Sequence, residues 1–205
     1  QIMTSAATGA AELQWLHKHT PKDAQITITD ISTSQGAFGI SGPRARNFLA
    51  AYSNVDMSHE SFPFGTSQNM TLGAVPVRAQ RISYTGELGW EIFVDTSFAA
   101  YLFELLMSGD NAEIPTLIGF HAGESLRTEK AYRHWGHDIG YTDTPLESGL
   151  LFASKLDKPG GFIGLEALQK RLTESNQRYL VQFLLSNNEK FLYHNEPIYL
   201  DDVIV

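Results

Sequence analysis

Apolar and polar positions alternate most regularly at residues 89–95, GWEIFVD. A strand places successive side chains on opposite faces. Trp90, Ile92 and Val94 therefore share one face, and Glu91 and Phe93 the other. The run TGELG ahead of it reads as a turn, and MTLGAVPVRAQRISY, residues 70–84, as extended segments broken at Gly73 and Pro76. Helical spacing predicts four main helices. The first covers residues 8–19, with Leu13 and Leu16 on one side and Pro21 beyond its end. GPRARNFLAAY follows the glycine-bent strand QGAFGISG. DTSFAAYLFELLMSG carries Phe98, Leu102, Leu105 and Leu106 as its apolar stripe and ends at Gly109. A fourth helix is expected over residues 119–133, and a shorter one from Leu165. ITITDIS near residue 26 and YLVQFLLS from Tyr179 read as strands, and EPIYLDDVIV as a hairpin turning at Asp201–Asp202. The pattern implies an α+β region over residues 1–175, of antiparallel sheets with packed helices. Residues 176–205 read as the start of a truncated C-terminal β-barrel domain.

Composition narrows the function classes. The chain has 205 residues, 42% hydrophobic, enough for a packed core. Fifteen basic residues against 23 acidic ones give a formal charge of -8, a poor match for duplex nucleic acid. There is no cysteine, which removes disulfide, thiolate and cysteine–metal chemistry. No apolar run reaches the length of a membrane span. The chain opens at Gln1 and closes on DDVIV, so it reads as part of a longer one, with an unpaired strand edge at residues 178–205 inviting self-association.

Several groups invite chemistry. GISG before a helix lacks the GxGxxG pattern and a Walker lysine. His134, His137 and Asp138 lack a second ligand cluster, so no metal site is assigned. Arg127, Glu129, Lys130 and Arg133 form either a solvated helix face or one wall of a cleft, in which Arg127 meets an anion. Glu147 is a carboxylate candidate near a cleft. Glu91 is the sharpest question, because a carboxylate inside a strand must be paired or hydrogen-bonded. Either Arg81 pairs with it across the hairpin, or it awaits a ligand that presents two N–H donors. Tyr84, at the other end of the turn, is placed to stack on such a ligand.

The blocks RISYTGELGWEI, SLRTEKAYRHWGHDI, DTPLESGLLFASKLDKPGGFIG and EPIY occur in that order. They resemble the folate-binding C-terminal region of dimethylglycine and sarcosine dehydrogenases and dimethylglycine oxidase, which is similar to the glycine-cleavage T-protein. The resemblance spans essentially the whole chain and implies an aminomethyltransferase-like fold, three small domains around an opening for tetrahydrofolate. It matches Tyr84 and Glu91 to folate contacts, with Glu91 on the pterin edge. It places Tyr132 and Trp135 near the folate beside Arg127. Gly123 stands where the T-protein block has an arginine, a departure that favours the dehydrogenase and oxidase branch.

The resemblance further implies a reaction. FAD in a missing N-terminal domain oxidises an N-methylated glycine, and the resulting iminium passes its one-carbon unit to tetrahydrofolate. The family's catalytic aspartate would lie upstream of residue 1. A T-protein-like aminomethyltransferase or folate-dependent demethylase, and a non-catalytic homologue, stand as alternatives. The implied partners are folate and the flavin domain of the same chain, with no nucleic acid and no membrane. The implied compartment is the cytoplasm, or the mitochondrial matrix in a eukaryote.

Overall fold

The computed structural model describes all residues except 110–112, 176–177, 188, 191, 194 and 205. Two compact units divide it, Gln1–Ile118 and Gly119–Val205. The family boundary expected near residue 175 falls inside the second.

The first unit is built on a four-stranded antiparallel sheet in the order β1-β4-β3-β2. Its strands are β1 (Gln35–Ser41), β2 (Ser67–Leu72), β3 (Val75–Gln80) and β4 (Gly89–Asp95). The helices are α1 (Gly9–His19), α2 (Ala45–Ala50) and α3 (Thr96–Met107). The alternation seen in the sequence becomes two unlike sheet faces. Trp90 and Ile92 are fully buried and Val94 nearly so. With them lie Met70, Leu72, Val77 and Ala79 from the neighbouring strands, Phe48 and Leu49 of α2, and Leu102 and Leu106 of α3. Phe62, from the loop after α2, closes edge-on against Trp90 at 6.0 Å between ring centres. The other face carries Ala37, Gly39, Arg78, Gln80, Glu91 and Phe93, all exposed or half-buried.

Local chemistry sets the ends of these elements. Asp95 accepts a hydrogen bond from the Ser97 backbone N–H at 2.9 Å and starts α3. Gly73 takes a φ of 57° in the tight β2–β3 connection, where a Cβ would lie 2.7 Å from Leu105. The β3–β4 connection is longer. Within it Ser83 donates to the Glu87 carbonyl at 2.6 Å, and the Gly42 N–H donates to the Leu88 carbonyl at 2.8 Å, tying the turn to the end of β1.

In the second unit α4 covers Phe120–Glu129 and α5 covers Leu165–Leu172. Helix α4 ends earlier than the expected residue 133. Ala131 adopts a φ of 55°, and the Tyr132 N–H closes back on the Arg127 carbonyl at 3.0 Å. The expected hairpin forms as β5 (Tyr199–Leu200) and β6 (Val203–Ile204), and Asp201 and Asp202 take the positive φ of a two-residue turn.

Three expectations are corrected. ITITDIS, residues 26–32, forms no strand: Ile26 and Ile31 are exposed, and Ser32 opens a 3-10 turn. Tyr179–Ser186 forms none either, and Leu184 is 98% exposed. No closed barrel exists among the described residues, because β5 and β6 make only a two-stranded ladder, far short of the strand number that closure requires. The antiparallel α+β part of the expected fold stands.

Gly89 joins the turn to the sheet. A Cβ there would lie 2.8 Å from the Ile40 carbonyl oxygen and 2.9 Å from Ser41 and Ser83. Gly89→Ala is expected to destabilise the first unit by about 1–3 kcal/mol through overpacking against backbone. Urea denaturation followed by the fluorescence of buried Trp90 checks this.

Candidate functional site

The sequence leaves two readings of Glu91, and register removes the pairing with Arg81. Gln80 of β3 stands opposite Glu91, so Arg81, one residue on, belongs to the opposite face. Arg81 is buried there. Its Nη1 donates to the Phe62 carbonyl at 2.7 Å and meets His59 Nδ1 at 2.8 Å, and its guanidinium carbon lies 5.7 Å from the Trp90 ring centre. Because the arginine can only donate, Nδ1 of His59 accepts and its proton sits on Nε2. Arg46 lies over the same indole at 5.4 Å. Arg81 thus serves the core, and the cross-hairpin pair with Glu91 does not form.

Glu91 makes no ion pair or hydrogen bond with any described residue, although it is half-buried. Burial pushes its carboxyl above the ordinary carboxylate value, with no donor to offset the effect. Gly39 faces it on β1, and a Cβ at Gly39 would meet nothing within 4 Å. Beside it lies the Phe93 ring, covered by the Arg78 guanidinium at 4.8 Å. The result is an open sheet face bearing glycine and an aromatic ring, with one acceptor-only group on it. Tyr84 is 47% exposed in the turn that leads into β4.

Arg127, Tyr132 and Trp135 belong to the second unit. Arg127 is buried at the end of α4 and donates through Nε to Glu124 at 2.8 Å and through Nη1 to the Tyr132 carbonyl at 2.9 Å. It also pairs with Asp138, which accepts from the His134 backbone N–H at 2.9 Å and lies 3.8 Å from His137 Nδ1. Arg127 therefore staples the helix end to the loop after it, and its burial is offset by two carboxylates. Those hydrogen bonds hold the Glu124 carboxyl below its ordinary value. Tyr132 and Trp135 are partly exposed on that loop, Trp135 meeting Tyr141 edge-on at 5.1 Å. Clefts of about 230 and 140 Å³ flank Asp138. Both are smaller than the roughly 300 Å³ at which small-molecule pockets begin.

Glu147, a candidate carboxylate from its sequence context, has a structural task. It accepts from the Thr144 N–H at 3.0 Å, from the Thr144 hydroxyl at 2.8 Å and from Arg171 of α5 at 2.8 Å. Led by the Thr144 backbone bond, these hold its pKa down to about 2. His134 and His137 stack at 5.6 Å, and among the described residues no group of three or more acidic or histidine side chains is placed to hold a metal ion. No described helix is long and apolar enough to cross a membrane. Arg78 drew no attention in the sequence, where a lone arginine at a strand position carries no signal. The register that sets it beside Glu91 exists only in the folded sheet.

Comparison with known proteins defines the class. Residues 1–158 match the model of the GCVT N-terminal domain, and the chain belongs to that family. It is 34% identical to mitochondrial dimethylglycine dehydrogenase of Mus musculus over 100% of this chain and 24% of that protein. Human mitochondrial sarcosine dehydrogenase is 34% identical over 86% of this chain and 20% of its own length. An aminomethyltransferase of Listeria monocytogenes is 34% identical over 98% of this chain and 53% of its own length. The chain thus spans about a quarter of the dimethylglycine dehydrogenase it matches, within a family whose named members include N-methyl amino-acid dehydrogenases and aminomethyltransferases. Mitochondrial and bacterial relatives occur together, in keeping with the expected compartments. Two expectations are corrected by the matched model. The region is an N-terminal domain of its family, not a C-terminal one. The expectation of FAD in a missing N-terminal domain falls with it, since the matched domain is itself N-terminal.

The acid behaviour of Glu147 follows from its lowered pKa. Its contribution is fully present above the ordinary value of 4.5 and is lost as pH falls through about 2. Glu147→Gln is therefore expected to be less stable at neutral pH, with the difference closing in acid. Urea midpoints of both proteins along an acid series measure the two curves; a gap that stays constant with pH contradicts the assignment.

Proposed function

We propose that the chain binds tetrahydrofolate on the open face of the first unit's sheet, as the folate-binding part of an enzyme that moves one-carbon units from N-methylated amino acids. The observation that carries the reading is Glu91, a half-buried carboxylate with no internal partner on an open sheet face. A carboxylate only accepts, and two N–H groups on the edge of a pterin are the complementary donors. Family membership and the relatives named above support the chemistry of the substrate.

In this reading Glu91 orients the pterin and remains ionised. The Phe93 ring and the Gly39 backbone offer a flat floor, and Tyr84 offers a ring or hydroxyl from the turn. Bound tetrahydrofolate would supply the nucleophilic amine that accepts the one-carbon unit. The chain's own contribution is orientation of that amine and exclusion of water.

The Glu91→Gln variant separates this from a structural role. The raised pKa means the folded state binds more protons than the unfolded chain between the ordinary value and the raised one. Stability therefore falls as pH rises through that window, and the deficit persists at neutral pH. Removing the charge is expected to raise the urea midpoint. The same change sets an amide donor against a ligand donor and is expected to weaken tetrahydrofolate about thirtyfold to a hundredfold. Equal affinities for the two proteins in a calorimetric titration would overturn the assignment.

A further inference from the structure

Arg78 shares the open face with Glu91. It stands opposite Phe93 on β4, two residues from Gln80, which stands opposite Glu91. The two opposite charges are thus diagonal neighbours on adjacent strands, where long side chains reach one another. They do not pair. The Nε of Arg78 is shut off from solvent and has no hydrogen-bond partner. The guanidinium lies over Phe93, and its polar contact is the Met3 sulfur at 3.7 Å, a weak acceptor. Arg81 also has a buried Nε without a partner, but its Nη1 is anchored on a backbone carbonyl, and Arg127 is anchored on two carboxylates. A half-buried guanidinium without a counter-charge, beside a half-buried carboxylate without one, describes a surface shaped for a ligand of the reverse polarity.

We infer that Arg78 is a second recognition residue of this face, holding the carboxylate of the amino acid that gives or leaves the one-carbon unit, beside the pterin whose donor edge meets Glu91; this rests on the folate reading above. Guanidinium and carboxylate meet through parallel N–H donors, and stacking on Phe93 fixes the plane of the fork in advance. The glutamyl tail of the folate lies at the opposite end of that molecule from the donor edge, whereas Arg78 is a diagonal neighbour of Glu91.

Calorimetric titration of the wild-type chain, Arg78→Gln and Glu91→Gln with dimethylglycine, with tetrahydrofolate and with a tetrahydropterin lacking the glutamyl tail tests the inference, each protein first checked for an unchanged circular-dichroism spectrum and melting temperature. Arg78→Gln is expected to weaken dimethylglycine about tenfold or more and to leave tetrahydrofolate and the tail-less tetrahydropterin unchanged. Loss confined to dimethylglycine supports the assignment, and loss confined to tetrahydrofolate overturns it. Arg78→Lys, which keeps the charge without the fork, is expected to recover only part of the affinity. Unchanged affinities, equal loss for all three ligands, or no binding of dimethylglycine by the wild type would overturn the inference. Tetrahydropterin binding that ignores Glu91→Gln while dimethylglycine binding still depends on Arg78 would sink the folate reading and leave the Arg78 assignment standing.

Discussion

The burial of Trp90, Ile92 and Val94 on one face of β4 is the constraint from which the first unit follows. Strand geometry leaves no freedom after that choice. A register slip of one residue would drive Glu91 into the core and expel Trp90. Because α2, α3 and the loop bearing Phe62 all pack on the Trp90 side, the same choice leaves the opposite side uncovered. Glu91, Phe93 and Arg78 are on that open side because the core requires their neighbours.

Arginine placement shows how similar residues divide their tasks. Arg46 and Arg81 lie over Trp90 and tether backbone carbonyls, so their charge is spent inside the fold. Arg127 has two carboxylates and fixes a helix end. Arg78 has an aromatic ring and a sulfur. Stability accounts for the first three through the partners their guanidinium groups gain, although the Nε of Arg81 is buried without one. It does not explain Arg78 or Glu91, which keep unspent hydrogen-bonding capacity on one surface. Locally unfavourable features that persist in a folded domain are the ground on which a functional role is proposed for these two residues.

Much of this was legible from periodicity. The alternation at residues 89–95 set both faces of β4, and the stripe of Leu102 and Leu106 set α3. Asp201–Asp202 announced its own turn. Other features were beyond local pattern. ITITDIS and YLVQFLLS have strand-like composition, but a strand exists only with a neighbour to bond, and neither finds one. The choice between Arg81 and a ligand for Glu91 depended on which residue of β3 faces β4, a cross-strand fact that spacing along one chain leaves open. Glu147 looked like cleft chemistry because its structural partner Arg171 lies on α5, far along the sequence. Family membership was legible from the ordered blocks, while its assignment to a C-terminal region was not upheld.

The account stands on Glu91 being an ionisable acceptor kept without a partner for a ligand to satisfy. Titration of its side-chain carboxyl carbon by nuclear magnetic resonance reads that state directly. The free protein should show a pKa above the ordinary 4.5, and saturation with tetrahydrofolate should lower it, because donors to the ionised form favour it. A carboxyl that titrates at or below 4.5 in the free protein, or whose titration is indifferent to the ligand, would contradict the account.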